Sequence, residues 1–261
     1  MKCKRKVILL FACLLLLSGV NYLFNVHEPF ISWKYQAREF FYTLRYGAPS
    51  EKIYAHRCDS LGKLKEKLGN GNFAGVEMDI CFYPEQGEFD VSHDVQPSIA
   101  YPLENFVQAL ATTDKKCWLD FKNLSETNRD AALARLDNLF AKYHIDKSRA
   151  VVESPNVDAL KAFHDDGWYT SYYCPAYGSF PGREKFLQVV RQAAATGNVD
   201  AVSFPIEEYP LVKEAAVQTD LLTWDPNAKW WDYVHDENRR EILADEKLKI
   251  LLVGSHSRYN R

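Results

Sequence analysis

From Lys52 onward, short apolar runs bounded by Gly, Pro and polar turn residues alternate with stretches whose apolar positions recur at helical spacing. The runs at 53–57, 75–82, 117–122, 149–154, 168–174, 199–204, 219–224 and 248–254 read as strands. Helices are expected at about 60–69, 102–112, 126–143, 155–165, 184–196, 208–216 and 236–246. A strand followed by a helix, repeated, is the pattern of parallel βα units, and eight units predict a closed (β/α)8 TIM barrel of the α/β class. The turn-rich Pro84-Glu85-Gln86-Gly87-Glu88 predicts that Phe89-Asp90-Val91-Ser92-His93 returns as an extra strand along the second one. Asp59-Ser60 and Ser125-Glu126 are candidate N-caps, and Gly167 is a candidate C-cap.

The N-terminus breaks this pattern. Lys2, Lys4, Arg5 and Lys6 precede an apolar run from Val7 to Leu17 that continues to Phe24. A cleaved signal peptide has a shorter core and a small-x-small site, whereas this run approaches the roughly 20 residues that span a bilayer. Residues 1–25 are therefore expected to form an uncleaved signal anchor, with Cys13 after Leu10-Phe11-Ala12 a weaker match to a lipoprotein site. The basic cluster places the N-terminus in the cytoplasm and the rest outside it, on the periplasmic side of an envelope or in a secretory pathway. Residues 26–50 form a juxtamembrane segment whose stretch His27 to Tyr46 reads as an amphipathic helix, either at the membrane surface or packed on the domain. The barrel is assigned to 51–261.

A chain that is 47% hydrophobic and 26% charged is neither globally disordered nor a polytopic membrane protein. Its net charge is −3, more negative still without the four N-terminal cations, and it has no basic stripe, so nucleic acid is not an expected partner. Cys58, Cys81, Cys117 and Cys174 fall in or beside apolar strands without CxxC spacing, so a zinc site is not expected. They read as buried thiols, with one bridge among them left open.

Four strings at predicted strand ends carry polar groups that a core would reject. In Gly75-Val76-Glu77-Met78-Asp79-Ile80, strand alternation puts Glu77 and Asp79 on one face and the apolar residues on the other. Two inward carboxylates repel unless a cation sits between them or one takes a proton. Asp120, in Trp118-Leu119-Asp120-Phe121-Lys122, completes an oxygen set suited to one Mg²⁺ or Ca²⁺, and Lys122 on the same face suits a phosphate. The bland alternative is an exposed edge or a buried ion pair with lysine or arginine for Glu77 and Asp79, and a strand-end salt bridge for Asp120 and Lys122. His56 ends the first strand and His93 the return strand, so one ring can accept a proton while the other donates. Arg57 offers a fork to non-bridging phosphate oxygens. Catalytic residues of barrels gather at the C-terminal ends of strands, so the joint pattern predicts phosphodiester chemistry.

These strings resemble the His-Arg, Glu-x-Asp and His-Asp motifs of the glycerophosphodiester phosphodiesterases, within the phospholipase-C-like phosphodiesterase superfamily, over roughly residues 52 to 255. Asp120-x-Lys122 stands where that family has Glu-x-Lys, in a form similar to sphingomyelinase D enzymes and menorin-like proteins. Cys58 replaces the glycine that follows His-Arg. The resemblance implies catalytic His56 and His93, a metal held by Glu77, Asp79 and Asp120, and a substrate contacted by Arg57, Lys122 and Trp224. Trp224 resembles the seventh-strand tryptophan of such barrels. Glu153 is a candidate supporting acid, and Tyr172, Cys174 and Tyr177 are expected near the mouth. The implied activity is cleavage of glycerophosphodiesters or lipid-derived phosphodiesters, by hydrolysis or through a cyclic phosphate. The alternative is a non-catalytic barrel that binds a phosphate or phospholipid headgroup. A sugar-cleaving barrel using Glu77 and Asp120 would need neither metal nor His56.

Overall fold

The computed structural model describes residues 27–47, 49–216 and 218–259. Strands β1 (Ile53–Ala55), β2 (Gly75–Tyr83), β4 (Lys116–Phe121), β5 (Ala150–Ser154), β6 (Tyr169–Tyr173), β7 (Ala201–Pro205), β8 (Asp220–Asp225) and β9 (Leu248–Val253) pair in parallel, and β1 joins both β2 and β9 to close the barrel. The predicted return strand is β3 (Glu88–Val91), antiparallel to β2.

Helices α1 (His27–Tyr46), α2 (Leu61–Leu68), α3 (Leu103–Leu110), α4 (Arg129–Lys142), α5 (Val157–Asp165), α6 (Arg183–Ala195), α7 (Tyr209–Ala215), α8 (Asp232–His235) and α9 (Glu237–Ala244) include all those expected from periodicity. Ser60 caps α2 by accepting the Lys63 N–H at 3.3 Å. The Ser125 cap is not realised. The Ser125 N–H instead donates to Asn128 Oδ1, and α4 begins at Arg129 because that local hydrogen bond favours a turn over a helical start. Gly167 ends the turn after α5 with φ +86°, a conformation that favours glycine.

The alternation read from the strands sets two cores. Val76, Met78, Ile80, Leu119 and Phe121 pack outward under the helices, while Tyr54, Trp118, Val151, Leu222 and Ile250 plug the barrel interior. Each such side chain removed from water contributes about 1.5–3 kcal/mol. Gly75 opens β2 as glycine because a Cβ there would lie 2.7 Å from the Lys116 carbonyl oxygen. All four cysteines of the barrel are buried and free.

One face of α1 is packed on the domain: Tyr35 stacks on His256 at 4.5 Å and Tyr42 on Trp231 at 5.3 Å. Its other face leaves Phe40, Phe41 and Leu44 exposed at 64%, 66% and 74%. Among the described residues no helix is long and apolar enough to cross a membrane, and the expected anchor, 1–25, lies outside them.

Candidate active site

The apolar plug fills the lower barrel, so the strand ends above it are free to carry polar groups. β1 stops at Ala55, two residues short of its predicted end, and the chain turns over the rim. The His56 N–H donates to the Val253 carbonyl at 3.1 Å, the Arg57 N–H to Glu77 Oε2 at 2.6 Å, and the Cys58 N–H to the Glu77 carbonyl at 2.7 Å. Arg57 takes a left-handed φ of +54°, which costs a non-glycine residue about 1 kcal/mol or more and persists here at the mouth. Cys58 has its thiol fully buried, so a side chain fits there.

Asp79 lies opposite Asp120 in the β2–β4 register, and Glu77 is one pleat below. The three carboxylates are buried, and each offers an oxygen within 4.8 Å of the others. That spacing fits ligands around one Mg²⁺ or Ca²⁺, whose oxygen distances of about 2.0–2.6 Å put ligand oxygens roughly 3–5 Å apart. Asp79 Oδ2 is buried without a hydrogen-bond partner among the described residues, which supports the fit, since such an oxygen needs a donor or a cation. Lys122 Nζ reaches Asp79 Oδ1 at 2.8 Å and also pairs with Asp120, so the predicted phosphate ligand is engaged by the carboxylates.

The crowding appears in the proton affinities. Burial, then Asp79, Asp59 and Asp120, push Glu77 well above the usual carboxylate range, against the Arg57 N–H that favours its charged form. Burial pushes Asp120 up to about 6, with Lys122 pulling against it and Asp79 adding to it. Burial would lower Lys122, but Asp120 and Asp79 outweigh it and hold the ammonium above the ordinary lysine range. His56 is pushed down to about 4 by burial and then by the Arg57 cation, and its Nε2 lies 3.7 Å from Glu77 Oε2. His93 is half exposed, with Nδ1 3.2 Å from Asp94 Oδ1.

His56, Arg57, Glu77, Asp79, His93, Asp120, Lys122 and Trp224 all line one cavity of about 450 Å³. No protein-family model and no curated protein matches this chain. Solved structures do match it. A glycerophosphodiester phosphodiesterase from Parabacteroides distasonis aligns with TM-score 0.53 and 17% identity over 79% of this chain and 94% of its own. The fold is that of the glycerophosphodiester phosphodiesterases. An Oleispira antarctica phosphodiesterase, solved with its product sn-glycerol-3-phosphate, aligns with TM-score 0.52 and 14% identity over 77% of this chain and 92% of its own. At such identities the likeness is one of fold, and the chemistry rests on the residues.

Within this barrel, four side chains of the site carry no signal in the sequence. Asp59 accepts the Asp79 N–H at 3.0 Å and is pushed up to about 6 by burial and then by Asp79. In sequence it reads as half of a helix cap. Lys63 Nζ donates to the His56 carbonyl at 3.0 Å and lines the cavity, although its place in α2 resembles an ordinary surface lysine. Lys229 also lines the cavity, and no motif flagged it. Tyr173, not the expected Tyr172, lines the cavity and stacks on Trp224 at 5.2 Å and 12°. Strand alternation is the reason: Tyr172 points outward, Cys174 is buried, and the Tyr177 N–H is held by Glu208. Glu153 stands opposite Asp120 in the β4–β5 register and lines the same cavity, accepting from Trp118 Nε1 at 2.9 Å and from Ser203, with burial and then Asp120 raising it well above the carboxylate range.

Proposed function

We propose that this chain is a divalent-cation-dependent phosphodiesterase that cleaves glycerophosphodiesters or lipid-derived phosphodiesters through two histidines. One observation carries the reading: side chains from separated strand ends meet around a single cavity, three of them as a cation-sized oxygen cluster. Glu77, Asp79 and Asp120 would hold one Mg²⁺ or Ca²⁺, which supplies Lewis-acid stabilisation of charge on a phosphoryl oxygen. Arg57 offers two parallel donors to the non-bridging oxygens, and Lys122 turns from its carboxylates to the same phosphate.

His56, pushed down to about 4, is neutral near pH 7 and accepts the proton of a substrate hydroxyl or a water as that oxygen bonds to phosphorus. As the bond from phosphorus to the departing alcohol breaks, His93, oriented through Nδ1 by Asp94, gives that oxygen a proton from Nε2. When the attacking hydroxyl belongs to the substrate, proximity favours a cyclic phosphate. His56→Ala and His93→Ala are each expected to lower kcat/KM by about 10²–10⁴-fold. The assay is a panel of glycerophosphodiesters and lysophospholipids with Mg²⁺, Ca²⁺ or chelator. Full activity in chelator, or in either variant, would refute the mechanism. A folded wild type inactive on the whole panel yet binding a phospholipid headgroup would favour the non-catalytic barrel, a reading supported by Lys122 already neutralising two of the carboxylates.

The barrel is further proposed to sit against an anionic bilayer. The exposed Phe40, Phe41 and Leu44 share a helix face neighboured in sequence by Lys34, Arg38 and Arg45, downstream of the apolar run 7–24. The test uses the full chain with Cys3→Ser, Cys13→Ser and Leu44→Cys carrying an environment-sensitive fluorophore. The label is expected to shift to the blue on vesicles containing anionic lipid. A label that stays in water on bound vesicles, or is buried without them, would overturn this placement.

A further inference from the structure

A second chamber of about 720 Å³ adjoins the catalytic cavity and shares Arg57, Lys63, Asp79 and His93 with it. Its far wall comes from Asp90 of β3 and the segment that follows that strand. Cys81 pairs with Asp90, so Asp90 and Ser92 fall on the same side as Glu77 and Asp79, while Phe89 and Val91 are fully buried in the outer core. The row of polar groups that begins in the barrel thus continues beyond its rim.

Asp90 and Ser92 on that wall each lack a partner for one side-chain atom among the described residues. Asp90 is 0% exposed; its Oδ1 accepts the N–H groups of Ala100 at 3.1 Å and Tyr101 at 2.5 Å, and its Oδ2 has no hydrogen bond. Ser92 is 6% exposed, and its Oγ is also unpartnered. A buried carboxylate oxygen without a donor is costly, and a cationic donor relieves it best. The charges are divided along the chamber. The cations Arg57 and Lys63 stand with Asp79 at the junction with the catalytic cavity, whereas among the described residues those that line only this chamber include Asp59, Asp90 and Asp94 and no lysine or arginine.

We propose that this chamber is the subsite for the alcohol arm of the substrate, and that Asp90 with Ser92 selects an arm carrying a primary ammonium, as in an ethanolamine phosphodiester. The phosphate then lies toward the cationic junction and the ammonium toward the acidic wall, so the ligand's dipole matches that of the chamber. This rests on the phosphodiester reading of the neighbouring cavity.

The test is calorimetric titration of the full chain, with Mg²⁺ present, using phosphoethanolamine, glycerol 3-phosphate and methyl phosphate. Phosphoethanolamine is expected to bind about 10–100-fold tighter than methyl phosphate, the range of one charge-assisted hydrogen bond, with glycerol 3-phosphate between them. In Asp90→Asn, which keeps the oxygen that accepts from Ala100 and Tyr101, the phosphoethanolamine-to-methyl-phosphate ratio is expected to collapse toward one. A wild type that binds all three alike, or prefers glycerol 3-phosphate, overturns the ammonium subsite while leaving the phosphate site standing. A preference that survives Asp90→Asn overturns the role of Asp90. Failure to bind any of the three removes both the subsite and the phosphodiester reading.

Discussion

Glu77→Gln is expected to lower kcat/KM by about 10³-fold or more while changing the stability of the metal-free protein by no more than about 1 kcal/mol. The two outcomes share a cause. Burial and three neighbouring carboxylates push Glu77 well above the usual range, so without a cation the fold favours its neutral form. Glutamine has nearly the shape of that neutral acid, and its amide oxygen can still accept the Arg57 N–H now bonded at 2.6 Å. With a cation bound, the same residue must be an anion, and an amide is a poor replacement for it. The measurements are steady-state kinetics, urea unfolding in chelator and thermal melts with and without Mg²⁺ or Ca²⁺. A variant that keeps both turnover and the cation-induced rise in Tm would show that Glu77 is not a ligand.

The second large effect is a cation response that depends on pH. A site held at a hundred times its Kd adds about 2.7 kcal/mol of stability, a rise of roughly 5–10 °C in Tm for a domain of this size. Asp120 and Asp59 are raised to about 6 by burial before any other cause, above the usual carboxylate value. The folded chain therefore binds more protons than the unfolded one between about pH 4 and 6, and the metal-free protein loses this stabilisation as pH rises through that window. His56, lowered to about 4, acts in the opposite direction, since its stabilisation is lost as pH falls from about 6.5 toward 4. The difference between melts with and without cation removes most of that background. At pH 7.5 the rise is expected in full, and at pH 5 protons compete for the carboxylates and reduce it to about half or less. Equal rises at both pH values, or none at pH 7.5, would contradict a cation held by this cluster.

The alternation of apolar and polar residues was enough to give the barrel, because a parallel strand buried under helices can place polar side chains only at its ends or toward the interior. The same period of two put Glu77 and Asp79 on one face and Asp120 and Lys122 on another, without any knowledge of neighbours. It also separated Asp90 and Ser92 from Phe89 and Val91, although their meaning was not visible from one strand alone.

Local pattern by itself determined the order of strands and helices and which residue types could do chemistry. Tertiary structure alone decided that residues 56, 77, 93, 120 and 224 share one cavity, that Lys122 bridges Asp79 and Asp120, and that Tyr173 rather than Tyr172 faces the mouth. Only there do Asp59 and Lys63 join the site, brought in by the left-handed turn at Arg57. The reason is physical: periodicity fixes the direction of a side chain relative to its own backbone, whereas the burial of these carboxylates, and the repulsion of Glu77 by Asp59 and Asp120, come from groups far away in sequence, which only closure of the barrel brings together.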